Sequence, residues 1–300
     1  MLRDVKTIKD LSLLCLSTYV FLACGGSDSP VEPPTSAPQI EPRFVSTLAA
    51  HQQIVVTAAV DKWTRAVSKN LGSFRLDAPA NDCFPGQPAL NEIHRNLLLF
   101  ISVAEVDGLG GTLAYAQVCS VSERDVLPIV SHIRFDRADL ASMEARGIFL
   151  GITTHEIGHA LGFNPQSYLA KGLTGGGTND PYFSGARARS EFATHGSWYT
   201  GVTVPLEDGS GIGPNDPHWR SEVFGDEVMV GAIGRGFKSP LSSITLGLFE
   251  DLGYEVDFSV ADPYVVAPLF GANRLVPEGS LANDFRAIAP PTVIRPLASH

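Results

Sequence analysis

The sequence predicts an α+β fold, and three observations carry that expectation. Residues 44–70 repeat apolar side chains at helical spacing. Residues 96–135 hold three segments of strand length, the first of them a long apolar run. Residues 148–161 form an apolar stretch of helix length with charged residues inside it. Helix, sheet and helix are followed by a long segment of weak periodicity, so helices and strands are segregated rather than alternating. The chain has 300 residues, 44% of them hydrophobic and 18% charged, which is globular composition.

The elements follow in order. Leu48, Val55, Ala59, Trp63 and Ala66 recur at spacings of three, four and seven, and Gly72 ends that helix. Residues 73–77 suit a short strand, and 78–88 carry loop chemistry around Cys83. Residues 96–106 read as a buried strand, with His94 before it in a structural role. Residues 107–111 form a turn, 112–118 alternate weakly as a strand, and 127–135 form a third strand containing His132. Residues 136–145 suit a short helix, broken at Gly147. The next helix runs from about 148 to 161, where Gly162 can stop it in a left-handed conformation. Residues 164–213 are rich in Gly, Pro, Ser and Asp. Helical spacing returns through Leu241, Ile244, Leu248 and Leu252, with Ser242 or Ser243 as N-cap. Residues 262–300 carry scattered prolines and read as an irregular wrap or tail. The expected organisation is an N-terminal subdomain of mixed sheet over 44–163, a mostly irregular C-terminal subdomain with a helix over 164–260, and a tail over 261–300.

The N-terminus reads as an export signal over residues 1–23. Arg3, Lys6 and Lys9 precede an apolar run, 11–23, that is too short to span a bilayer as a stable helix. Phe21-Leu22-Ala23-Cys24 resembles a bacterial lipobox, which implies cleavage before Cys24 and lipid on its sulfur. Residues 24–43 are rich in Pro, Ser and Gly and would serve as a flexible tether. The expectation is an exported lipoprotein of the bacterial cell envelope, held to the membrane by its N-terminal lipid, or a secreted protein. Of the four cysteines, Cys15 leaves with the signal and Cys24 carries lipid. Cys83 and Cys119 remain to form a disulfide in an oxidising compartment. A net charge of −10 argues against nucleic acid as a partner. With one small mature domain, a monomer is expected.

The stretch that carries chemistry is His155-Glu156-Ile157-Gly158-His159. Residues four apart share a helix face, separated by about 6 Å along the axis. One metal ion can therefore take both imidazoles. Zinc suits neutral histidine nitrogens in a tetrahedral shell. Glu156, beside the first ligand, can act as general base toward a water held on the metal and later return the proton to a leaving amine. Charged residues inside an apolar helix are costly unless paired or bound to metal. Gly158 costs about 1 kcal/mol in a helix, so close packing must require it.

A catalytic zinc needs three protein ligands and an open position. In the compact pattern, a third histidine follows the second by six residues, but that position here is Pro165. Glu191, on a following helical stretch, is one candidate. Downstream histidines are His195, His218 and His300. His195 sits in a polar stretch that suits a surface role, whereas His218 lies in Pro217-His218-Trp219.

The order of motifs resembles the leishmanolysin family of metzincins. It runs His155 to Phe163, a long insertion, Pro217-His218-Trp219, Glu227-Val228-Met229, Leu241 to Leu246, and Glu250-Asp251-Leu252-Gly253-Tyr254. The likeness covers about 96–254 and includes Gly111 to Ala116 and Ile133-Arg134-Phe135-Asp136. It implies a metzincin-like zincin fold and a zinc metalloendopeptidase acting on protein or peptide substrates. It implies His218 as the displaced third ligand, and Met229 as the methionine of the Met-turn, an apolar floor under the metal. It also implies that Thr112, Leu113, Ala114, Tyr115 and Ala116 form an edge strand laid against substrate. The insertion 164–217 matches only loosely. A rival reading from another class is a zinc-stabilised surface lipoprotein that binds a partner without cutting it. Such a protein would keep the histidines but have no need of Glu156.

Overall fold

Two strands buried on both faces form the middle of the molecule. They are β5 (Leu97–Ala104) and β7 (Pro128–Asp136), and burial on both sides explains why β5 reads as a nearly continuous apolar run, while β7 also buries the polar Ser131 and His132. The computed structural model describes residues 40–177, 180–195, 203–208, 217–233, 238–266, 279–280 and 290–297. The expected signal, Cys24 and the tether up to residue 39 lie outside the described residues.

The chain opens with strand β1 (Ile40–Phe44), then helix α1 (Ala50–Ala66) and strands β2 (Val67–Ser68), β3 (Ser73–Ala78) and β4 (Leu90–Arg95). The helix expected over 44–70 is thus shorter, and a strand precedes it. Pro42 cannot donate to a ladder or continue a helix, and β1 sits at the sheet edge where its missing N–H is tolerated. The helix begins where the Gln52 side chain accepts a bond from Ala49 N (2.9 Å). Strand β6 (Ala114–Ser122) precedes β7. With β14 (Thr292–Ile294) the main sheet has the order β1-β5-β7-β6-β14. β1, β5 and β7 are parallel, β6 runs antiparallel to β7, and β14 runs parallel to Ser120–Ser122 of β6. Thr112 and Leu113, expected inside the β6 strand, precede it.

Cys83 and Cys119 form the expected disulfide, which ties the loop after β3 to β6. Beside it Phe84 stacks on His132 at 3.6 Å, and His132 bonds to Ser102 (2.6 Å). His94 is buried, its Nδ1 3.8 Å from Glu41. His132 and His94 both serve the fold. Asp136 organises the loop before β6. Its carboxylate accepts backbone N–H bonds from Val106, Asp107, Gly108 and Ala138 at 2.8–3.3 Å. Burial alone would raise its pKa, but these four donors bring it below the usual carboxylate value.

Helix α2 (Leu140–Ala145) leads into α3 (Phe149–Ala160), which carries the charged motif. α3 lies between the sheet and α1. Ser131 Oγ on β7 donates to Ala160 O (2.8 Å), and Phe135 meets Phe149 edge-on. From the other side Trp63 Nε1 of α1 donates to Thr154 O (2.8 Å). Every residue of α3 from Ile152 onward is buried.

The second half carries more helix than its weak periodicity predicts. α4 (Pro165–Ala170) starts on Asn164, whose side chain accepts from Ser167 N, with Pro165 at the first position. Strands β8 (Thr174–Gly175), β9 (Tyr182–Phe183) and β10 (Val204–Pro205) form a small antiparallel sheet. α5 (Ala186–His195) is capped from far away, because Asp251 accepts from Arg187 N and Ala188 N (both 2.9 Å). Then come α6 (Ser221–Phe224), β11 (Ala232–Ile233) and α7 (Ser243–Leu252). α7 has the expected Ser242 cap, accepting from Thr245 N, and ends on Gly253 at φ +102°. β12 (Glu255–Val256) pairs with β2, and β13 (Gly279–Ser280) pairs with β11. The segment expected to be an irregular tail therefore supplies β13 and β14.

Candidate metal centre

The end of α3 sets the first two candidate ligands. Gly162 adopts φ +116°, and two bonds close the turn: Phe163 N donates to Gly158 O and Gly162 N to His159 O, both at 3.0 Å. This turn carries the Phe163 carbonyl to His159 Nδ1 (2.6 Å). His155 Nδ1 meets the Val228 carbonyl (2.5 Å). A ring nitrogen facing a carbonyl must carry the proton, so in both rings Nε2 keeps a bare lone pair.

Those lone pairs converge. His155 Nε2 lies 2.9 Å from His159 Nε2, and His159 Nε2 lies 3.3 Å from His218 Nε2. The ligand atoms of all three side chains fall within 4.8 Å of one another, and all three histidines are fully buried. Neutral acceptors turned toward each other in a dry interior repel unless a cation sits between them. Tetrahedral zinc, with bonds of about 2.0–2.1 Å, sets its nitrogens about 3.3 Å apart, so the donor set fits the ion. Among the described residues this is the one group of three such donors.

His218 arrives 59 residues after His159 in the chain. Its backbone is clamped on both sides. Glu207 N donates to His218 O, and Trp219 N donates to Met229 O, each at 3.0 Å. Tyr168 OH donates to Pro217 O (3.2 Å). The Trp219 ring is buried, stacked on Phe224 and edge-on to Phe163, with Nε1 donating to Thr245 Oγ1 (2.8 Å). Gly231 leaves room for His218, since a Cβ there would come 2.8 Å from its Nδ1.

Met229 is fully buried against the motif helix. A Cβ on Gly158 would lie 2.5 Å from its sulfur. The glycine inside the motif is there to admit this methionine, which is the close packing its helix cost requires. Glu156 is fully buried on α3 next to His155.

Glu191 is not brought to the centre. It pairs on its own helix with Arg187 (2.9 Å) and faces His195 (3.9 Å). His195 bonds to Ser243 Oγ (3.0 Å). Thr112, Leu113, Ala114, Tyr115 and Ala116 are all buried, and Ala114, Tyr115 and Ala116 pair with Phe135, Arg134 and Ile133 of β7. Sequence reasoning missed Glu227 as the anchor of the turn before Met229, Gly231 as the space for His218, and Asp251 as the cap of α5. The glutamate's adjacency to Val228-Met229 was its one local signal.

An α+β domain with a paired-histidine helix, a distant third imidazole and a methionine packed against that helix defines a zincin-type metal site. A family model described as leishmanolysin matches residues 90–273, more than half of the chain, and the chain belongs to the leishmanolysin family of metalloproteases. A leishmanolysin homolog of Crithidia fasciculata is 31% identical over 163 residues, covering 51% of this chain and 24% of that protein. Leishmanolysin of Leishmania tropica is 28% identical over 214 residues, 67% of this chain and 30% of its own length. That of Leishmania major is 28% identical over 225 residues, 70% and 34% respectively. The chain spans about a third or less of the length of these relatives.

Proposed function

We propose that this chain is a zinc-dependent metalloendopeptidase that hydrolyses peptide bonds in proteins. The observation that carries the reading is the convergence of three Nε2 lone pairs, two of them with their proton fixed on Nδ1 by a backbone carbonyl. His155, His159 and His218 hold the zinc. When bound, the ion supplies Lewis-acid chemistry, acidifying a water and polarising a carbonyl. Glu156 is the general base that takes a proton from the attacking water. It then gives that proton to the leaving nitrogen as the carbon–nitrogen bond breaks. Met229 supports the helix carrying both residues.

Two subdomains, 44–163 and 164–260, contribute to the centre, with 261–300 as an added C-terminal segment. Substrate adds as an extended strand along residues 112–116, with main-chain hydrogen bonds supplying much of the affinity. In support, among the described residues no strand pairs with Ala114 or Ala116 on the side away from β7, and β14 begins only at Ser120. Ala116→Pro removes one N–H from that edge, because Asp136 N donating to Leu113 O sets a ladder in which Tyr115 bonds to β7 and Ala116 faces away from it. It should lower kcat/KM at least about tenfold with zinc content intact, and an unchanged value argues against the edge. Residues 1–23 act as export signal, Cys24 carries lipid, and the mature protein is a monomeric envelope lipoprotein. Among the described residues no helix is long and apolar enough to cross a membrane.

The test of the function is cleavage of an unfolded protein by the purified chain. Cleavage should stop when a chelator removes the metal and return when zinc is restored. If no unfolded protein is cut in a chelator-sensitive way, the non-catalytic binding lipoprotein becomes the better reading.

A further inference from the structure

Glu227 is a fully buried carboxylate that touches neither substrate nor the three histidines, yet both halves of the metal centre hang from it. Its Oε2 accepts from Met229 N (2.6 Å). Its Oε1 accepts from Ser242 Oγ (2.7 Å), Thr245 Oγ1 (2.6 Å) and Ser242 N (3.2 Å). Each of the two hydroxyls is also held from its other side. Ser242 Oγ already accepts from Thr245 N (3.1 Å), and Thr245 Oγ1 already accepts from Trp219 Nε1 (2.8 Å). Each hydroxyl hydrogen is left to point at Glu227. Burial pushes this carboxyl up, while these bonds act against the push. Four donors and no acceptor suit a group that only accepts, and the N-terminus of α7 adds its favourable dipole.

Two routes lead from this carboxylate to the ligands. The turn it fixes is closed by Val230 N donating to Glu227 O (3.2 Å), and it is tied to the segment just before α7 by Val228 N donating to Pro240 O (3.0 Å). The same turn presents the Val228 carbonyl to His155 Nδ1 and the Met229 carbonyl to Trp219 N, next to His218. The second route runs from Glu227 through Thr245 Oγ1 to the Trp219 indole.

We propose that Glu227 is a positioning residue of the metal centre, holding His155 and His218 at the separation one ion needs. This rests on the zinc reading given above. Glutamine keeps the shape but must aim an NH₂ either at Met229 N, which has no acceptor, or at the hydroxyl pair, whose hydrogens must then leave the bonds they make to Glu227. The turn then shifts, and with it the Val228 carbonyl that fixes the His155 proton.

The test measures zinc affinity by competition with a chromophoric chelator, and the visible spectrum of the cobalt-substituted protein, for wild type and Glu227→Gln. The expected result is zinc binding weaker by about 10–100-fold, with an altered cobalt spectrum. A purely structural role lowers the melting temperature of the metal-free protein but leaves the zinc dissociation constant within twofold and the cobalt spectrum superimposable. That result overturns the proposal. If Glu227→Gln does not fold, Thr245→Val decides. It breaks the link between the carboxylate and Trp219, and it should weaken zinc binding several-fold, whereas unchanged affinity overturns the proposal. A wild-type protein that binds no zinc in the same assay sinks the metal reading itself, separately from the role of Glu227.

Discussion

Glu156→Gln is expected to retain zinc and lose proteolysis, with kcat/KM down by about 10²–10⁴-fold, the range for removal of a positioned general base. The substitution is isosteric, so the packing of α3 between sheet and α1 should survive. Glu156 is outside the set of three converging donors, which is His155, His159 and His218. Its loss should therefore leave metal content untouched. Glutamine cannot take a proton from water, so the effect falls on the chemical step. Zinc by atomic absorption and kcat/KM on an unfolded protein substrate check both halves. Activity within tenfold of wild type would remove the glutamate from the mechanism. A binding lipoprotein has no use for this carboxylate and gives no difference at all.

His218→Ala is expected to lose zinc, and Glu191→Ala to keep it. Structural zinc sites are worth roughly 10–16 kcal/mol over four ligands, so one missing imidazole weakens binding by about a hundredfold or more. Two histidines on one helix then remain, with no third group to close the shell. Glu191 is engaged elsewhere, with Arg187 and His195 on α5, and its removal disturbs only that helix surface. Equilibrium dialysis against buffered zinc separates the two variants. If Glu191→Ala emptied the site and His218→Ala did not, the third ligand would have to be reassigned.

Much of the fold could be read in the sequence where a physical rule acts locally. The buried strand β5 announces itself by its apolar run, whereas Ser131, His132 and Arg134 interrupt that of β7. α3 is legible through its apolar flanks and the Gly162 stop, which takes the left-handed conformation at φ +116°. The Ser242 cap of α7 is legible for the same reason. What stayed hidden depends on distant partners. α5 has its cap on Asp251, more than sixty residues away, so no local signal marks its start. β14 is three residues among prolines and exists because the edge of β6 was open to it. At the candidate metal centre, the motif from His155 to His159 declared two candidate ligands and Glu156. His218 had no periodicity around it and was reached through resemblance in motif order. Glu227 was not reached as an anchor, because Ser242 and Thr245 lie 15 and 18 residues further on. Gly158 could be flagged by its helix cost, but the sulfur that demands it comes from Met229 on another segment.

X-ray absorption at the zinc edge of the purified, zinc-loaded protein tests the convergence of the three histidines most directly. The account predicts three imidazole nitrogens at about 2.0–2.1 Å, falling to two in His218→Ala. A shell with only two imidazoles in the wild type, unchanged by His218→Ala, would contradict it.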